Sequence, residues 1–310
     1  MPKSIAILGN CQIGGIEKAI NLATADLKPK SFFLASLAAT YDKPRFVAEM
    51  KGFDLIYAHP SNDPQFGTEA LREAGLQVRE MPVIAFPAFH PDMVYAQRKL
   101  PDGGVEIMKS PVGDNHSALA LYGHHLGLNP EQIARLFCAE AYQAVGFFDA
   151  WSPAWEELAA AGDRAGLPLQ SMMLSWARRG IFMHTLNHPR VFVLADIARA
   201  IAKKEGCRLR TGSSDAYLVD DLITSTVWPV YPEIAARMSL EGSMLFKRAQ
   251  ITEFYDLEEM IRESVTIYDH AGRDNIQCWR FDLWNFLPGV REKLLGIAGV
   301  GGETRELAAV

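Results

Sequence analysis

The chain has 310 residues, of which 49% are hydrophobic and 22% are charged, and these proportions are ordinary for a globular protein. Its 31 Lys and Arg against 37 Asp and Glu give a net charge of −6, which disfavours nucleic acid as the main partner. A chain of this length buries a large core without disulfides or structural metals, and the composition excludes a disordered or collagen-like protein.

The cysteine pattern and the apolar runs exclude further classes of protein. No two of the four cysteines stand in a C-x-x-C pair, so we expect neither a zinc ribbon nor a disulfide framework, and no metal site. No apolar run reaches the length of a signal-peptide core or a membrane span. The sequence therefore predicts a cytoplasmic protein with reduced thiols.

The first hundred residues alternate between strand and helix patterns. The apolar run at 4–8 stops at Gly9, as a buried parallel strand does, and helical spacing follows from Ile13 to Ala23. Similar patterns predict strands at 31–36, 53–58 and 78–86 and helices at 44–50 and 68–74. This alternation indicates an open, mostly parallel α/β sheet.

From about residue 115 the apolar residues follow helical spacing instead. Helices are predicted near 116–127, 130–146, 152–165, 168–178, 190–205, 229–243, 256–267 and 279–296. The fold class is therefore α/β, with an N-terminal open, mostly parallel sheet and a larger, mainly helical C-terminal part. We expect domains at 1–112 and 113–310, packed as one unit, and a hairpin or linker at 101–104.

A thiol lies where the first strand gives way to the first helix. Residues 9–12 read Gly-Asn-Cys-Gln, and open α/β sheets bind ligands at this edge. The positive end of the helix dipole would lower the pKa of the Cys11 thiol, as a nucleophile requires. The side-chain amides of Asn10 and Gln12 would stabilise a developing oxyanion.

This segment has two other interpretations, a core cysteine and a dinucleotide-binding fingerprint. Cys11 would be a small core residue, which is the common fate of a free cysteine, but core residues rarely have two amide neighbours. Residues 9–14 also resemble a dinucleotide fingerprint. Cys11 replaces the glycine that must approach the pyrophosphate, and no acidic residue ends the 31–36 strand, so this interpretation is disfavoured.

A second cluster follows the strand predicted at 78–86 and should open on the same edge as Cys11. His90 would act as a general base or acid, with Asp92 orienting it. Alternatively, Asp92 caps a helix at 93–99, and His90, between aromatics and prolines, is a buried structural histidine.

A third cluster contains His184 and His188 at a spacing that suits zinc on a helix. Position 185 is Thr rather than Glu, and Pro189 favours a loop, so a zinc protease is improbable. His188 beside Asn187 and Arg190 at a helix start is better suited to protons and phosphates.

Together, the 9–12 segment, the 89–92 segment and the 187–189 segment resemble the WcbI family of capsular-polysaccharide biosynthesis proteins. The resemblance implies a cytoplasmic bacterial enzyme that binds coenzyme A, takes an acetyl group from acetyl-coenzyme A and acetylates a sugar hydroxyl. It implies that Cys11, His90 and His188 form a Cys/His active site. The phosphates of coenzyme A would need local cations.

Residues around these segments are expected to bind that cofactor. The candidates are Gly9, Lys18, Arg178, Arg179, Asn187 and Arg190. Arg178 and Arg179 would otherwise form a solvated helix end, where cations are favoured anyway.

Several alternatives stay open. The layout also resembles esterases that carry Gly-Asp-Ser at this place, but the chain lacks their C-terminal Asp-x-x-His. Two alternatives are therefore kept. One is a cysteine esterase or amidase, and the other is a non-catalytic ligand-binding component of a glycan-assembly complex. The acetyl group would pass through Cys11 or directly to a sugar activated by His90 or His188. The oligomeric state is left open.

Overall fold

The computed structural model describes residues 1–212, 215–250 and 252–300. Its contacts divide the chain into two compact units. The first unit contains Met1–Phe86 and Ala154–Ile223, and the second contains Pro87–Pro153 and the chain from Thr224 onward. The domain division expected at residue 112 stays a prediction.

A four-stranded parallel sheet forms the centre of the first unit. Its strands are β1 (Lys3–Gly9), β2 (Leu27–Phe33), β3 (Leu55–Ala58) and β4 (Val78–Glu80), in the spatial order β2-β1-β3-β4. The central strand β1 is fully buried over its apolar residues, because it has a strand on each side and helices cover the sheet. The predicted parallel sheet is therefore confirmed.

Register fixes which loops meet at the carboxyl edge of this sheet. Leu8 of β1 pairs with Ala58 of β3, so Gly9, the last residue of β1, and His59, which follows β3, become neighbours. The backbone N–H of His59 donates to the carbonyl of Leu8 at 2.9 Å. The loop after β1 is thus built against the end of β3.

Helices accompany these strands in the first unit. They are Ile13–Ala23, Leu34–Thr40, Lys43–Met50, Thr68–Glu73, Leu169–Arg178 and Val191–Lys204, with Trp151–Ala165 divided between the units. A short hairpin joins Met183–Thr185 to His188–Pro189. A Cβ on Gly15 would lie 2.4 Å from Leu194 Cδ1, so glycine allows the first helix to pack closely on Val191–Lys204.

Two strand predictions in this unit were wrong in their bounds. The pattern at 31–36 marks only the end of β2, which begins at Leu27 and tolerates Pro29 because β2 is an edge strand. Helix-forming residues then start a helix at Leu34. The strand predicted at 78–86 ends at Glu80, two residues before Pro82.

The second unit consists of short helices and small antiparallel sheets. Its helices are Ala118–His125, Pro130–Ala134, Ala139–Ala144, Pro232–Arg237, Leu257–Ala271, Trp279–Phe286 and Val290–Ile297. Its strands are Met93–Val94, Gln97–Lys99, Val105–Ile107, His116–Ser117, Phe246–Lys247, Phe254–Tyr255 and Ile276–Gln277. The mainly helical character expected for the later part of the chain is confirmed.

Some helices of the second unit are shorter than predicted. The helix predicted at 279–296 is two helices, because Leu287 is extended and Gly289 has a left-handed backbone with φ 76°. The helix predicted at 130–146 breaks at the extended residue Cys138. The described residues of the two units also form five 3-10 turns: Pro87–Phe89, Phe147–Asp149, Asp215–Tyr217, Asp221–Thr224 and Arg273–Asn275.

The turn at 101–104 forms a hairpin, which was one of the two predicted alternatives, the other being a linker. It joins the antiparallel strands Gln97–Lys99 and Val105–Ile107, with Asp102 accepting from the backbone of Gly104 at 2.9 Å. Among the described residues, no helix is long and apolar enough to cross a membrane.

Candidate active site at the end of the first strand

Gly9 ends β1 where a larger residue would not fit. A Cβ at this position would lie 2.3 Å from Nδ1 of His59 and 2.8 Å from Cγ2 of Ile13. Glycine therefore lets the imidazole pack directly on the backbone of the loop. The structure gives Gly9 this packing role, and its predicted role in cofactor binding stays a prediction.

Asn10 closes the turn between β1 and the first helix. Its Oδ1 accepts from the backbone N–H of Gln12 at 3.1 Å, and its own backbone N–H donates to Nδ1 of His59 at 3.3 Å. Its Nδ2 has no hydrogen-bond partner among the described residues. That amide group can therefore donate to a ligand.

Gln12 is fully buried and joins three segments of the first unit. Its Nε2 donates to the carbonyls of Ile84 and Asn187, both at 2.9 Å, and its Oε1 accepts from the backbone N–H of Ile84 at 3.0 Å. Both hydrogens of Nε2 are therefore committed to carbonyls. The expectation that Gln12 donates to an oxyanion is wrong, and its amide instead positions the neighbouring loops.

Cys11 lies between these two amides and is exposed. Burial of the thiol by surrounding protein raises its pKa, and a hydrogen bond from its own backbone N–H offsets this only in part. The sequence-based expectation of a lowered pKa is therefore wrong. The helix begins at Ile13, after Gln12 as N-cap, so Cys11 precedes its first turn.

His59 lies beside Gly9 and Asn10 in this site, although no sequence motif singled it out. It is buried, and burial lowers its pKa to about 4, so the imidazole is neutral at pH 7. Since Nδ1 accepts from Asn10, the proton sits on Nε2, which has no hydrogen-bond partner among the described residues. The signal for His59 was its position directly after a predicted strand beside the first one.

His188 is half-buried on the hairpin that Gln12 contacts through Asn187. Burial and, to a lesser degree, the nearby His184 lower its pKa, so it is neutral at pH 7 and able to accept a proton. Its Nδ1 is buried without a hydrogen-bond partner among the described residues. The side chain of Gln12 thus connects the loop of Cys11 to the hairpin of His188.

His184 forms a second pair that the sequence analysis did not assign. Its Nε2 lies 2.9 Å from Oδ2 of Asp220, which also accepts from the backbone N–H of Val191 at 3.1 Å. Burial would raise the pKa of Asp220, but the hydrogen bonds from His184 and the backbone lower it. Asp220 therefore holds the hairpin to the start of the helix Val191–Lys204.

The predicted phosphate-binding residues are exposed cations of the first unit. The Arg179 guanidinium stacks on the ring of Phe192 at 3.7 Å, which places it beside the first turn of the helix that follows Arg190. Arg178 ends the preceding helix. Lys18 pairs with Asp221 through side chains that are 52% and 49% exposed, a pairing weak enough for a phosphate to replace.

His90 and Asp92 belong to the second unit. No strand leads directly to His90, because β4 ends ten residues earlier, so the argument that placed it on the edge with Cys11 is wrong. His90 is buried with its ring 6.3 Å from that of Phe89. Its role in catalysis stays a prediction.

Asp92 does not cap a helix at 93–99, because Met93–Val94 and Gln97–Lys99 are strands. It is fully buried, and its oxygens accept from the backbone N–H of Leu119 at 2.8 Å and from the Tyr231 hydroxyl at 2.6 Å. Burial raises its pKa. The carboxyl group therefore stabilises the start of a different helix, Ala118–His125.

No group of three or more His, Cys, Asp or Glu in the described part of the chain is arranged to hold a metal ion. The fold and these residues define an α/β protein with a thiol and two neutral histidines on loops around the carboxyl edge of a parallel sheet.

Comparison with known proteins places this arrangement in a family. The family model described as "Polysaccharide biosynthesis enzyme WcbI" matches residues 4–210, which is more than half of the chain. The chain therefore belongs to the WcbI family of polysaccharide biosynthesis enzymes, and the resemblance seen in the sequence is confirmed.

One solved structure is similar with a TM-score of 0.73 and 17% identity, over 96% of this chain and 99% of its own. It is described as native WcbI, a novel polysaccharide biosynthesis enzyme, without a disulfide bond between coenzyme A and one of its cysteines. At this identity the similarity shows a shared fold. No match was found among curated proteins.

The buried amide of Gln12 generates a prediction about stability. Gln12→Ala should lower the free energy of unfolding by about 3 kcal/mol, because Ile84 and Asn187 lose their buried partners. Asn10→Ala, which alters a partly exposed turn, should cost about 1 kcal/mol. Urea denaturation of both variants measures the difference, and equal losses would contradict the central position of Gln12.

The direction of the Cys11 pKa generates a second prediction. Alkylation of Cys11 by iodoacetamide, followed across pH by mass spectrometry of its peptide, should reach half its maximal rate above about pH 8.5, the pKa of a free thiol. A synthetic peptide of residues 7–17 is the control without the fold. A midpoint below that of the peptide would show that the helix dipole outweighs burial.

Proposed function

We propose that the protein is an O-acetyltransferase that uses acetyl-coenzyme A to acetylate a sugar hydroxyl during polysaccharide biosynthesis in the cytoplasm. The observation that carries this proposal is the position of Cys11. Gln12 ties its loop to the hairpin that carries His188. Membership of the WcbI family and the description of the similar structure by coenzyme A and a cysteine support the same assignment.

The residues of the first unit fit coenzyme A. Its thiol end suits Cys11, and its phosphates require cations that an acidic chain must concentrate locally. Arg190 directly precedes the helix Val191–Lys204, and the Arg179 side chain is held beside its first turn by Phe192. Arg190 is also only three residues from Asn187, whose carbonyl binds Gln12.

In the covalent route, Cys11 is the nucleophile and His188 is the base. The thiol gives its proton to the neutral imidazole of His188, and its sulfur bonds to the acetyl carbon while the thioester bond to coenzyme A breaks. The imidazolium returns the proton to the departing thiolate. The sugar hydroxyl then transfers its proton to His188 and its oxygen bonds to the acetyl carbon, releasing Cys11, which regains a proton.

Two nearby groups would stabilise negative charge in this route. Nδ2 of Asn10 and the Nε2–H of His59 are donors without partners among the described residues, and both lie on the loops that surround Cys11. These donors replace Gln12 in the role that the sequence analysis gave it. The raised pKa of Cys11 means that the base must remove the proton as the bond forms.

The same raised pKa favours a second candidate, direct transfer. In that route His188 deprotonates the sugar hydroxyl, which attacks the thioester, and the protonated Cys11 only shapes the pocket. A cysteine esterase would instead release acetate without a sugar. Each route gives a different result with Cys11 variants.

Binding is tested first, by calorimetry with coenzyme A, acetyl-coenzyme A and NAD. The first two should bind and NAD should not, and Arg179→Glu and Arg190→Glu should each weaken binding about tenfold in a salt-sensitive way. Lys203→Glu is the matched control, because Lys203 is exposed in the last turn of the same helix. Equal losses in all three variants would contradict this phosphate site.

Chemistry is tested by incubating the protein with acetyl-coenzyme A and no acceptor, followed by peptide mass spectrometry. An acetyl group on Cys11, absent in Cys11→Ser and kept in Cys207→Ser, is expected from the covalent route. If Cys11→Ser keeps most of the transfer rate while His188→Gln loses it, the transfer is direct. Release of acetate with no transfer to any sugar would identify an esterase.

A further inference from the structure

The second unit contains a cavity that none of the predicted site residues line. Its volume is about 420 Å³, within the roughly 300–1,000 Å³ usual for ligand sites. It lies where the three-stranded sheet of Ile276–Gln277, Gln97–Lys99 and Val105–Ile107 meets the start of the helix Trp279–Phe286. Its lining combines aromatic rings with uncharged amides and one carboxylate.

The polar side chains of the lining are available to a ligand. Gln97 and Gln277 pair directly across two antiparallel strands, so their side chains stand side by side on one face of the sheet. Asp282 lies one turn after Trp279 on the helix. None of these three polar side chains forms a hydrogen bond to another described residue. Two amides and a carboxylate offer both donors and acceptors, as neighbouring hydroxyl groups require.

Two aromatic rings border the same cavity at the surface. Trp279 is 58% exposed and Tyr95 is 45% exposed, so both rings present apolar surface beside the cavity. The Arg280 guanidinium lies 4.3 Å from the centre of the Trp279 ring and holds it from one side. A ring held in this way suits a flat ligand that presents C–H groups on a face.

The charge of the lining restricts the ligand further. Among the described residues, no Lys, Arg or His lines this cavity, because Arg280 stacks on the Trp279 ring, whereas the carboxylate of Asp282 does line it. A phosphate or a uronic acid would be repelled by Asp282, and no cation in the described lining would offset that repulsion. A neutral, hydroxyl-rich ligand with apolar faces satisfies both the rings and the amides.

We propose that this cavity binds a neutral sugar residue of the polysaccharide acceptor. The Trp279 and Tyr95 rings pack on the C–H faces of the sugar, and Gln97, Gln277 and Asp282 hydrogen-bond its hydroxyls. The inference rests on the proposed function for the identity of the acceptor, but sugar binding is measured without coenzyme A.

The test uses the full chain on a printed array of neutral hexose oligosaccharides and uronic-acid oligosaccharides. The protein should retain neutral oligosaccharides in preference to acidic ones. Trp279→Ala should weaken that binding about tenfold, as expected for the loss of a central aromatic contact. Gln97→Ala should weaken it several-fold.

Matched controls separate a site from a general surface effect. Phe286→Ala removes an aromatic side chain that is 84% exposed on the same helix and does not line the cavity. Lys99→Ala changes a residue on the same strand and face as Gln97. Both controls should bind as the unaltered protein does, and melting temperatures of all variants check the fold.

Three outcomes would overturn the inference: retention of no neutral oligosaccharide, preference for acidic ones, or equal losses in Trp279→Ala and Phe286→Ala. Calorimetry with coenzyme A on the same samples keeps the two proposals apart. Trp279→Ala should bind coenzyme A normally, whereas a protein that binds sugars but not coenzyme A would contradict only the proposed function.

Discussion

The hydrogen bonds of the buried Gln12 amide are the constraint on which the candidate active site depends. Two N–H donors and one carbonyl oxygen on a single side chain satisfy three backbone groups, from Ile84 and Asn187. An apolar side chain would leave these groups unpaired in the core, and Asn would fall short by a methylene. Gln12 therefore fixes the loop of Cys11 relative to the hairpin of His188 without taking part in the chemistry itself.

Burial around this constraint keeps the resting groups uncharged. It raises the pKa of Cys11 and lowers the pKa values of His59 and His188, so the thiol and both imidazoles are neutral at pH 7. A thiolate at Cys11 and an imidazolium at His188 would each lose part of their hydration in these surroundings, and their attraction offsets that loss only with good geometry. In the proposed reaction, the thiolate and the imidazolium are therefore expected to form only transiently, while a bound substrate interacts with them.

Local patterns in the sequence predicted the features that depend on local interactions. The apolar run before Gly9 and the helical spacing after it predicted the first strand and the first helix, and the proline at 189 predicted that its segment is not helical. The role of Gln12 was inaccessible because its partners lie 72 and 175 residues away. The helix predicted at 93–99 was wrong for a similar reason, since Asp92 bonds to Leu119 and Tyr231 rather than to the next turn.

Charge distinguishes the two ligand regions more sharply than shape does. With a net charge of −6, the chain repels a polyphosphate in bulk, so phosphate binding must come from cations placed where the field is locally reversed. Arg179, held against Phe192, and Arg190 at the helix start meet that requirement, and both belong to the first unit. The described lining of the cavity beside Trp279 has a carboxylate and no cation. A phosphorylated donor finds no charge partner in that lining, whereas a neutral sugar residue needs none, so charge alone favours the proposed donor near the arginines and the proposed sugar residue at this cavity.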